Sequence, residues 1–126
     1  MKYKIVERKK PGTQDFKFYA QVVLGEPIGL RAIIKEIEEK CTLTPPDIVA
    51  VLYALESAVA KKLRNGQSVR FGTLGSFRPT ISSEGAATAA VWTPNMVKKV
   101  RAVFTPSAQL KQDLAVKNCT FTSLKA

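Results

Sequence analysis

The chain has 126 residues, of which 45% are apolar, enough for one domain with a core but too few for a second independent domain. With 20 basic and 10 acidic residues the net charge is +10, so we expect an anionic polymer or surface as partner. The absence of histidine excludes Ser-His and Cys-His catalytic pairs and imidazole metal sites. We therefore expect a protein that is not an enzyme and uses no cofactor or metal.

The charge is distributed unevenly along the chain. Residues 1–25 carry six basic residues against two acids, residues 26–60 carry three against six, and residues 61–117 carry ten against two. This order predicts a surface on which the charges are segregated. No apolar run is long enough to span a membrane, and the charged start "MKYKIVERKK" is unlike a signal peptide, so we expect a cytoplasmic protein.

Two segments near the N terminus have the alternating pattern of strands. In both "KYKIVERK" and "FKFYAQVVL" apolar residues alternate with charged or polar ones, and the turn-like "KPGTQD" lies between them. We predict a hairpin added beside the core. The two cysteines, Cys41 and Cys119, lie outside any paired motif, and we expect reduced thiols packed as small hydrophobes.

An amphipathic helical hairpin is predicted next. Leu30, Ile33, Ile34, Ile37 and Cys41 recur at helical spacing, so that one stripe of a short helix faces a core. The segment "CTLT" then interrupts the pattern.

The second helix has clear start and stop signals. Thr44 is a good N-cap, Pro45 suits the first helical position, and Asp47 completes an arrangement like a capping box. Asn65-Gly66 supplies the left-handed residue with which helices often end. Its apolar face consists of Ile48, Val51, Leu52, Leu55, Val59 and Leu63.

The very short turn between the helices leaves two interpretations, a DNA-reading helix-turn-helix or a paired-helix dimerisation base. The segment "PPDIVAVLYALESAVA" has almost no basic or amide side chains to meet base edges or phosphates. We therefore favour a core or a dimer interface. Lys61, Lys62 and Arg64 collect at the C-terminal end, where they suit the helix dipole as well as a phosphate contact.

The stretch "VRFGTLGSF", residues 69–77, places two glycines three residues apart between apolar residues. A phosphate-binding loop needs a helix directly after its glycines. Here "SFRPTIS" follows instead, in which Phe77 and Ile81 alternate with outward positions. We therefore predict a hairpin in which the glycines join two strands.

Together these residues resemble a known family. The stretch "LRAIIKEIEEKCTLTPPDIVAVLYALESAVAKKLRNGQSVRFGTLGSF", followed later by "VKKVRAVFTPSAQLKQDL", is similar to the bacterial histone-like HU/IHF family. The matching positions are Gly75, Ser76 and Phe77 in the hairpin signature and Phe104, Pro106, Leu110 and Lys111 at the strand-to-helix corner. The N-terminal extension and the tail further resemble HU-related proteins of Bacteroides-type bacteria.

The resemblance implies an α+β, HU/IHF-like fold, with a helical hairpin base and an antiparallel sheet. It also implies an intertwined homodimer that binds double-stranded DNA and whose arms reach round the minor groove, each with an Arg-Asn-Pro tip that kinks the duplex. The corresponding segment here, "RPTISSEGAATAAVWTPNMVKK", lacks that tip and has Glu84 and several alanines instead. We expect a shortened or altered arm, truncated or partly helical, and extra N-terminal strands.

On this basis we divide the chain into three parts. Residues 1–27 form an N-terminal β extension, residues 28–117 an HU-like DNA-binding domain, and residues 118–126 a C-terminal tail. A strand within "CTFTSL" that pairs with the N-terminal hairpin is one option for the tail.

Candidate phosphate contacts lie mainly on the strands at the arm base. In "VKKVRAVF" the apolar Val100, Ala102 and Phe104 share one face, which places Lys99 and Arg101 on the other. The full set of candidate DNA-binding residues is Arg78, Lys98, Lys99, Arg101, Lys111, Lys61 and Lys62. A merely solvated outer face is the alternative interpretation.

Two further features have two interpretations each. Trp92 either stacks on a base or, as we favour, packs against a neighbouring element. The basic loop from Arg8 to Lys10 either touches DNA or only keeps a sheet edge soluble.

The favoured function is sequence-tolerant binding of duplex DNA by a nucleoid-associated, HU-like architectural homodimer. The alternative is an HU-fold dimeric scaffold or protein-interaction module that has lost DNA bending. RNA binding, a third hypothesis, shares the charge argument but lacks clear aromatic platforms. No small-molecule substrate and no membrane are expected as partners.

Overall fold

The computed structural model describes residues 1–124 and has an α+β architecture. Its strands are β1 (Lys2–Lys9), β2 (Phe16–Val23), β3 (Val69–Phe71), β4 (Gly75–Ser83), β5 (Val97–Pro106) and β6 (Thr122–Ser123). Its helices are α1 (Leu30–Lys40), α2 (Pro45–Arg64) and α3 (Ala108–Asp113), with single 3-10 turns at Pro94–Met96 and Val116–Asn118. The predicted fold class is confirmed.

The chain folds into two compact units. One comprises Met1–Ile33 and the C-terminal residues from Leu114 onward, and the other comprises Ile34–Asp113. The boundaries predicted from the sequence, 1–27, 28–117 and 118–126, stay a prediction, and the last two residues of the tail lie outside the described part of the chain.

The first unit contains the N-terminal sheet, with the strand order β2-β1-β6. β1 and β2 form the predicted antiparallel hairpin, and β6 in the tail pairs in parallel with the start of β1. At the hairpin turn the Lys10 amide donates to the Asp15 carbonyl at 3.1 Å. Both the hairpin and the pairing of the tail with it are therefore confirmed.

One face of the N-terminal sheet is largely apolar. Tyr3 lies opposite Val22, and Ile5 lies opposite Ala20, so the four side chains share a face. At one end of this face is an open cavity of about 490 Å³, lined by Met1, Tyr3, Ala20, Val22 and Phe121. The alternation seen in the sequence is thus that of a two-faced sheet.

The ends of α2 follow the capping signals. The Asp47 amide donates to Thr44 Oγ1 at 3.5 Å, the Thr44 amide donates to Asp47 Oδ2 at 3.4 Å, and both interactions together make a capping box. Pro45 begins the helix. At the other end Gly66 has a φ of +79°, the left-handed conformation that the sequence predicts there.

The apolar stripes of the two helices are covered only in part within the described chain. Ile48 is 2% exposed and is the one buried apolar side chain within residues 1–124. Val51 and Leu55, on the same face of α2, are 57% and 43% exposed. The expectation that α1 faces a core also fails in the single chain, since none of its residues is buried.

Cys41 and Cys119 are free thiols, and Cys119 is half-buried. Cys41 is exposed, so the expectation that both thiols are packed is wrong for this residue, which directly follows α1.

Within the described residues no single helix is long and apolar enough to cross a membrane. By length and composition only, α1 and α2 together pass that test as a pair bent by 117°.

The second unit contains the central sheet, with the strand order β3-β4-β5. β3 and β4 are joined by the predicted glycine hairpin, where the Leu74 amide donates to the Phe71 carbonyl at 2.8 Å. Phe77 packs edge-on against Phe71, with ring centroids 5.5 Å apart, and also lies 5.0 Å from Phe104. These three rings mark the apolar face of the sheet.

The arm is formed by β4 and β5, with 9 and 10 residues. Strand pairing ends at Ser83 and Val97 after an irregularity at Ser82/Ser83. Residues 84–96 connect the strands, and the Glu84 amide donates to the Met96 carbonyl at 2.8 Å. The only helical part of this connection is the 3-10 turn at Pro94–Met96. The connection is therefore partly helical, through one 3-10 turn, and the shortening of the arm relative to the family stays a prediction.

Candidate nucleic-acid interface

The pairing of β4 with β5 places three of the candidate cations on one face of the central sheet. Arg78 lies opposite Val103, Arg101 opposite Thr80, and Lys99 opposite Ser82. Because residues opposite each other share a face and every second residue of a strand shares it too, Arg78, Arg101 and Lys99 point to the same side. All three are exposed.

A fourth cation, Arg70, belongs to the same face. Arg70 in β3 lies opposite Ser76, which is two residues before Arg78 in β4. Arg70 is not among the residues predicted from the sequence, although the alternation in "VRF" next to a predicted hairpin was the signal that could have found it. We call Arg70, Arg78, Arg101 and Lys99 the cationic row.

The cationic row crosses the sheet diagonally. Arg70 and Arg78 are diagonal neighbours on adjacent strands, and so are Arg78 and Arg101. Such neighbours are roughly 7–8 Å apart, and the two-residue step to Lys99 adds roughly 7 Å, so the row is about 20 Å long. Between the cations lie hydroxyl side chains of the same face, namely Ser76, Thr80, Ser82 and Thr105.

No described carboxylate neutralises the cationic row. Within residues 1–124 the single ion pair joins Lys40 Nζ to Glu36 Oε1 at 3.5 Å, on α1. The row therefore presents four unpaired positive charges together with hydroxyl donors, the groups that contact phosphate oxygens. The other face carries the Phe71, Phe77 and Phe104 rings, so one side of the sheet is mainly cationic and hydroxylic and the other is aromatic.

The remaining candidates are not on this face by strand pairing. Lys98 has no partner on β4, because Ser82 pairs with Lys99 and Ser83 with Val97. Lys61 and Lys62 lie in the last turn of α2, and Lys111 lies in the last turn of α3. The structure thus places three of the seven candidate DNA-binding residues on one face of the central sheet, together with Arg70.

The start of α3 is tied to the hairpin between β3 and β4. Ser107 Oγ accepts the Leu110 amide at 3.0 Å and donates to the Thr73 carbonyl. The Ser107 amide also donates to the Leu74 carbonyl at 3.1 Å. These bonds fix the helix that carries Lys111 to the same corner as the strand ends.

Trp92 is half-buried in the arm connection. It lines a shallow groove of about 360 Å³ together with Ala86, Thr88 and Ala89. This environment agrees with the packing role favoured for Trp92. Within the described residues no group of three His, Cys, Asp or Glu side chains is placed to hold a metal ion.

The chain was compared with known protein families and with curated proteins. Residues 1–122 match the HU-HIG family, described as an HU domain fused to wHTH, Ig, or glycine-rich motif. No curated protein matches the chain in sequence.

Two solved structures are similar in fold. A protein from Bacteroides vulgatus ATCC 8482, provisionally described as a bacterial DNA binding protein, is 19% identical with a TM-score of 0.65. That similarity covers 98% of this chain but 47% of the Bacteroides chain, so the chain spans about half of that protein's length. A mutant HU from Thermotoga maritima is 16% identical with a TM-score of 0.53, over 69% of this chain and 99% of its own.

Proposed function

Because the chain belongs to the HU-HIG family, we propose that it binds duplex DNA through the phosphate backbone, with little base specificity, as a nucleoid-associated architectural protein. The observation that carries this proposal is the cationic row, four exposed and unpaired cations on the face of the central sheet opposite its aromatic side chains. The name of the Bacteroides vulgatus structure, a provisionally described DNA binding protein, supports the same ligand.

The chemistry of the row favours backbone contact over base reading. Its members alternate with serine and threonine hydroxyls, and the face holds no asparagine or glutamine of the kind that pairs with adenine edges. Arginine, lysine and hydroxyl groups bind phosphate oxygens in any sequence. A diagonal row about 20 Å long spans several phosphates of one strand, which are spaced by roughly 3.4 Å along the helix axis.

We further propose that the protein acts as a homodimer. A single described chain buries one apolar side chain, Ile48, and leaves Val51 at 57% and Leu55 at 43% exposure on α2. A folded domain of this size normally buries well over half of the surface of its unfolded chain. The helical face therefore fits burial against a second copy.

Sedimentation at micromolar concentration tests the dimer. We expect one species with twice the mass of the chain, and Leu55→Asp should abolish it because a carboxylate cannot be buried unpaired. A matched control, Tyr53→Asp, changes an exposed residue elsewhere on the same helix. A stable, folded monomer of the unmodified chain would contradict the proposal.

The DNA-binding proposal is tested by titrating duplex DNA, duplex RNA and single strands at several salt concentrations. If the central sheets of a dimer contact four to six phosphates, log K should fall with log salt at a slope of roughly −4 to −5. Tight binding of RNA or single strands, with weak binding of duplex DNA, would show that duplex DNA is not the ligand of this protein.

A triple variant tests whether the cationic row contacts the DNA. Arg78→Gln, Lys99→Gln and Arg101→Gln together should bring the slope at least halfway toward zero and weaken all duplex sequences alike. The control replaces three exposed cations outside the sheet, Arg31→Gln, Lys35→Gln and Lys117→Gln, and removes the same net charge. If the two triple variants weaken DNA binding equally, the cationic row is not part of the DNA interface.

The scaffold function remains the second candidate, and the arm is the observation that favours it. The connection between β4 and β5 carries Glu84 and small side chains and is folded by the Glu84–Met96 hydrogen bond. Such a connection offers no cationic tip for the minor groove. Absence of duplex binding at low salt, in a protein that is still dimeric, would favour the scaffold.

A further inference from the structure

The N-terminal sheet has a second concentration of positive charge, separate from the cationic row. In the pairing of β1 with β2, Lys2 lies opposite Val23, Lys4 opposite Gln21, and Arg8 opposite Lys17. These side chains share the face opposite to that of Tyr3, Ile5 and Val22. We call Lys2, Lys4, Arg8 and Lys17 the N-terminal basic face; it contains four cations and no carboxylate.

Arg8 and Lys17 form a like-charge pair directly across the two strands. Directly opposed side chains have Cβ atoms about 4.5–5.5 Å apart, and like charges in that arrangement destabilise a hairpin. The pair is not relieved by a neighbouring acid, because no ion pair within residues 1–124 involves either residue. The hairpin therefore retains a charge arrangement that is unfavourable without an anion.

The tip of the same hairpin forms a shallow groove. Arg8, Lys9, Lys10, Pro11 and Tyr19 line about 230 Å³ of open space. Tyr19 lies opposite Val6 on the N-terminal basic face and is 47% exposed. Its hydroxyl adds a donor for a phosphate oxygen next to the cations.

Edge protection alone does not explain this arrangement. A lysine on an exposed edge strand discourages strand addition. Lys2, Lys4 and Arg8, however, lie in β1, the middle strand of the sheet. Solvated protein surfaces usually mix positive and negative charges. A face with cations at Lys2, Lys4, Arg8 and Lys17 and no acid is instead complementary to a polyanion.

We propose that the N-terminal basic face is a second DNA-binding surface, which contacts the phosphate backbone of duplex DNA. The inference rests on the proposed function, since it takes the ligand to be DNA. Its consequence is that each chain carries two phosphate-binding surfaces, one in each compact unit. Two tethered surfaces raise the overall affinity through effective concentration beyond that of either alone.

The salt dependence of binding tests the proposal. With Lys2→Gln, Lys4→Gln, Arg8→Gln and Lys17→Gln, we expect the slope of log K against log salt to become shallower by about 2–4, for two to four lost contacts at roughly 0.9 each. Affinity at 50 mM salt should fall about tenfold or more. The control, Arg31→Gln, Lys35→Gln, Lys40→Gln and Lys117→Gln, removes the same net charge from exposed sites off both sheets.

Site-directed photocrosslinking gives a second readout that does not depend on removing charge. Gln21 lies on the N-terminal basic face, whereas its neighbour Ala20 points to the apolar face. Each is replaced by cysteine, with Cys41→Ser and Cys119→Ser in both proteins, and labelled with a benzophenone. We expect the DNA to crosslink to Gln21→Cys and much less to Ala20→Cys.

The outcomes separate the two proposals. Equal slopes for the basic-face variant and its control, or equal crosslinking from positions 20 and 21, would overturn the second surface. The proposed function would then still stand if Arg78→Gln, Lys99→Gln and Arg101→Gln weaken binding. If the unmodified protein does not bind duplex DNA, both proposals fail.

Discussion

The two sheets are built alike but use their charges differently. Each has three strands, one largely apolar face and one face with four cations. In the central sheet every cation lies opposite an uncharged residue, for example Arg78 opposite Val103 and Arg101 opposite Thr80. In the N-terminal sheet Arg8 lies opposite Lys17. Four cations therefore follow a diagonal in the central sheet. In the N-terminal sheet two of the four, Arg8 and Lys17, face each other near the hairpin tip, and Lys2 and Lys4 lie toward its open end.

The apolar faces differ as well. In the central sheet the rings of Phe71, Phe77 and Phe104 pack on one another, and Gly75 allows a close approach of β4 to β5. In the N-terminal sheet Ile5 and Phe18 are 57% and 70% exposed. The central sheet thus combines a cationic face with a closely packed corner, whereas the N-terminal sheet has a charged face without comparable packing behind it.

The two sheets should differ most in how much the free energy of unfolding falls when a glycine is replaced by alanine. Gly75 has a φ of +153°, and a Cβ there would lie 2.8 Å from the Phe104 ring and also clash with the Thr105 carbonyl. We expect Gly75→Ala to lower the free energy of unfolding by about 2–4 kcal/mol, from overpacking and backbone strain together. Urea denaturation followed by circular dichroism measures the loss.

The control is Gly12→Ala in the N-terminal hairpin. Gly12 has a φ of +78° but nothing within 4 Å of a Cβ. Gly12→Ala should lower the free energy of unfolding by only about 1–2 kcal/mol, because alanine is strained in the left-handed backbone conformation. A loss at Gly75 no greater than that at Gly12 would show that the central corner is not closely packed.

A smaller effect should come from reversing one charge in each sheet. Lys17→Glu converts the like-charge pair with Arg8 into an opposite-charge pair, so we expect the free energy of unfolding to rise by about 0.2–1 kcal/mol. Arg101→Glu, opposite the uncharged Thr80, should give no such gain. The gain at Lys17 should shrink in high salt, because exposed charges are screened. If Lys17→Glu leaves the free energy of unfolding unchanged at low salt, the side chains at positions 8 and 17 do not interact.

The smallest effect is expected in the shape of bound DNA. A wedge must be apolar and held at a rigid, cationic tip, because unstacking a base step costs a few kcal/mol that nearby contacts offset. The connection at 84–96 has Glu84 and alanines, and Trp92 lines a shallow groove there together with Ala86 and Ala89. Energy transfer across an end-labelled duplex should therefore change little on binding, in contrast to an HU protein with an Arg-Asn-Pro tip. A sharp bend would show that the arm still kinks the minor groove.

Much of the fold could be predicted because its signals are local. The capping residues Thr44 and Asp47, the helix-ending Gly66 and the hairpin glycines act through backbone geometry within a few residues. Strand alternation likewise predicted that Lys99 and Arg101 share a face, and the register confirms it. These features needed no knowledge of distant parts of the chain.

The composition of the candidate site was predicted less completely. Alternation along β5 already separates Lys98 from Lys99 and Arg101. Arg70, in contrast, joins the cationic row only because β3 pairs with β4 in a particular register. A shift of one residue moves a side chain to the other face of a sheet. Alternation within β3 shows which of its residues share a face, but only the register places Arg70 beside Arg78.

The amino-acid sequence thus determined the order of the elements, their ends and the two-faced character of each strand, since these depend on backbone preferences and on the period of apolar residues. Which cations of different strands lie together depends on how the strands pair. The diagonal from Arg70 to Lys99 and the opposition of Arg8 to Lys17 both arise from pairing between strands. The physical reason is that register is a cooperative property of two strands, set by turns, bulges and packing, and no single strand contains it.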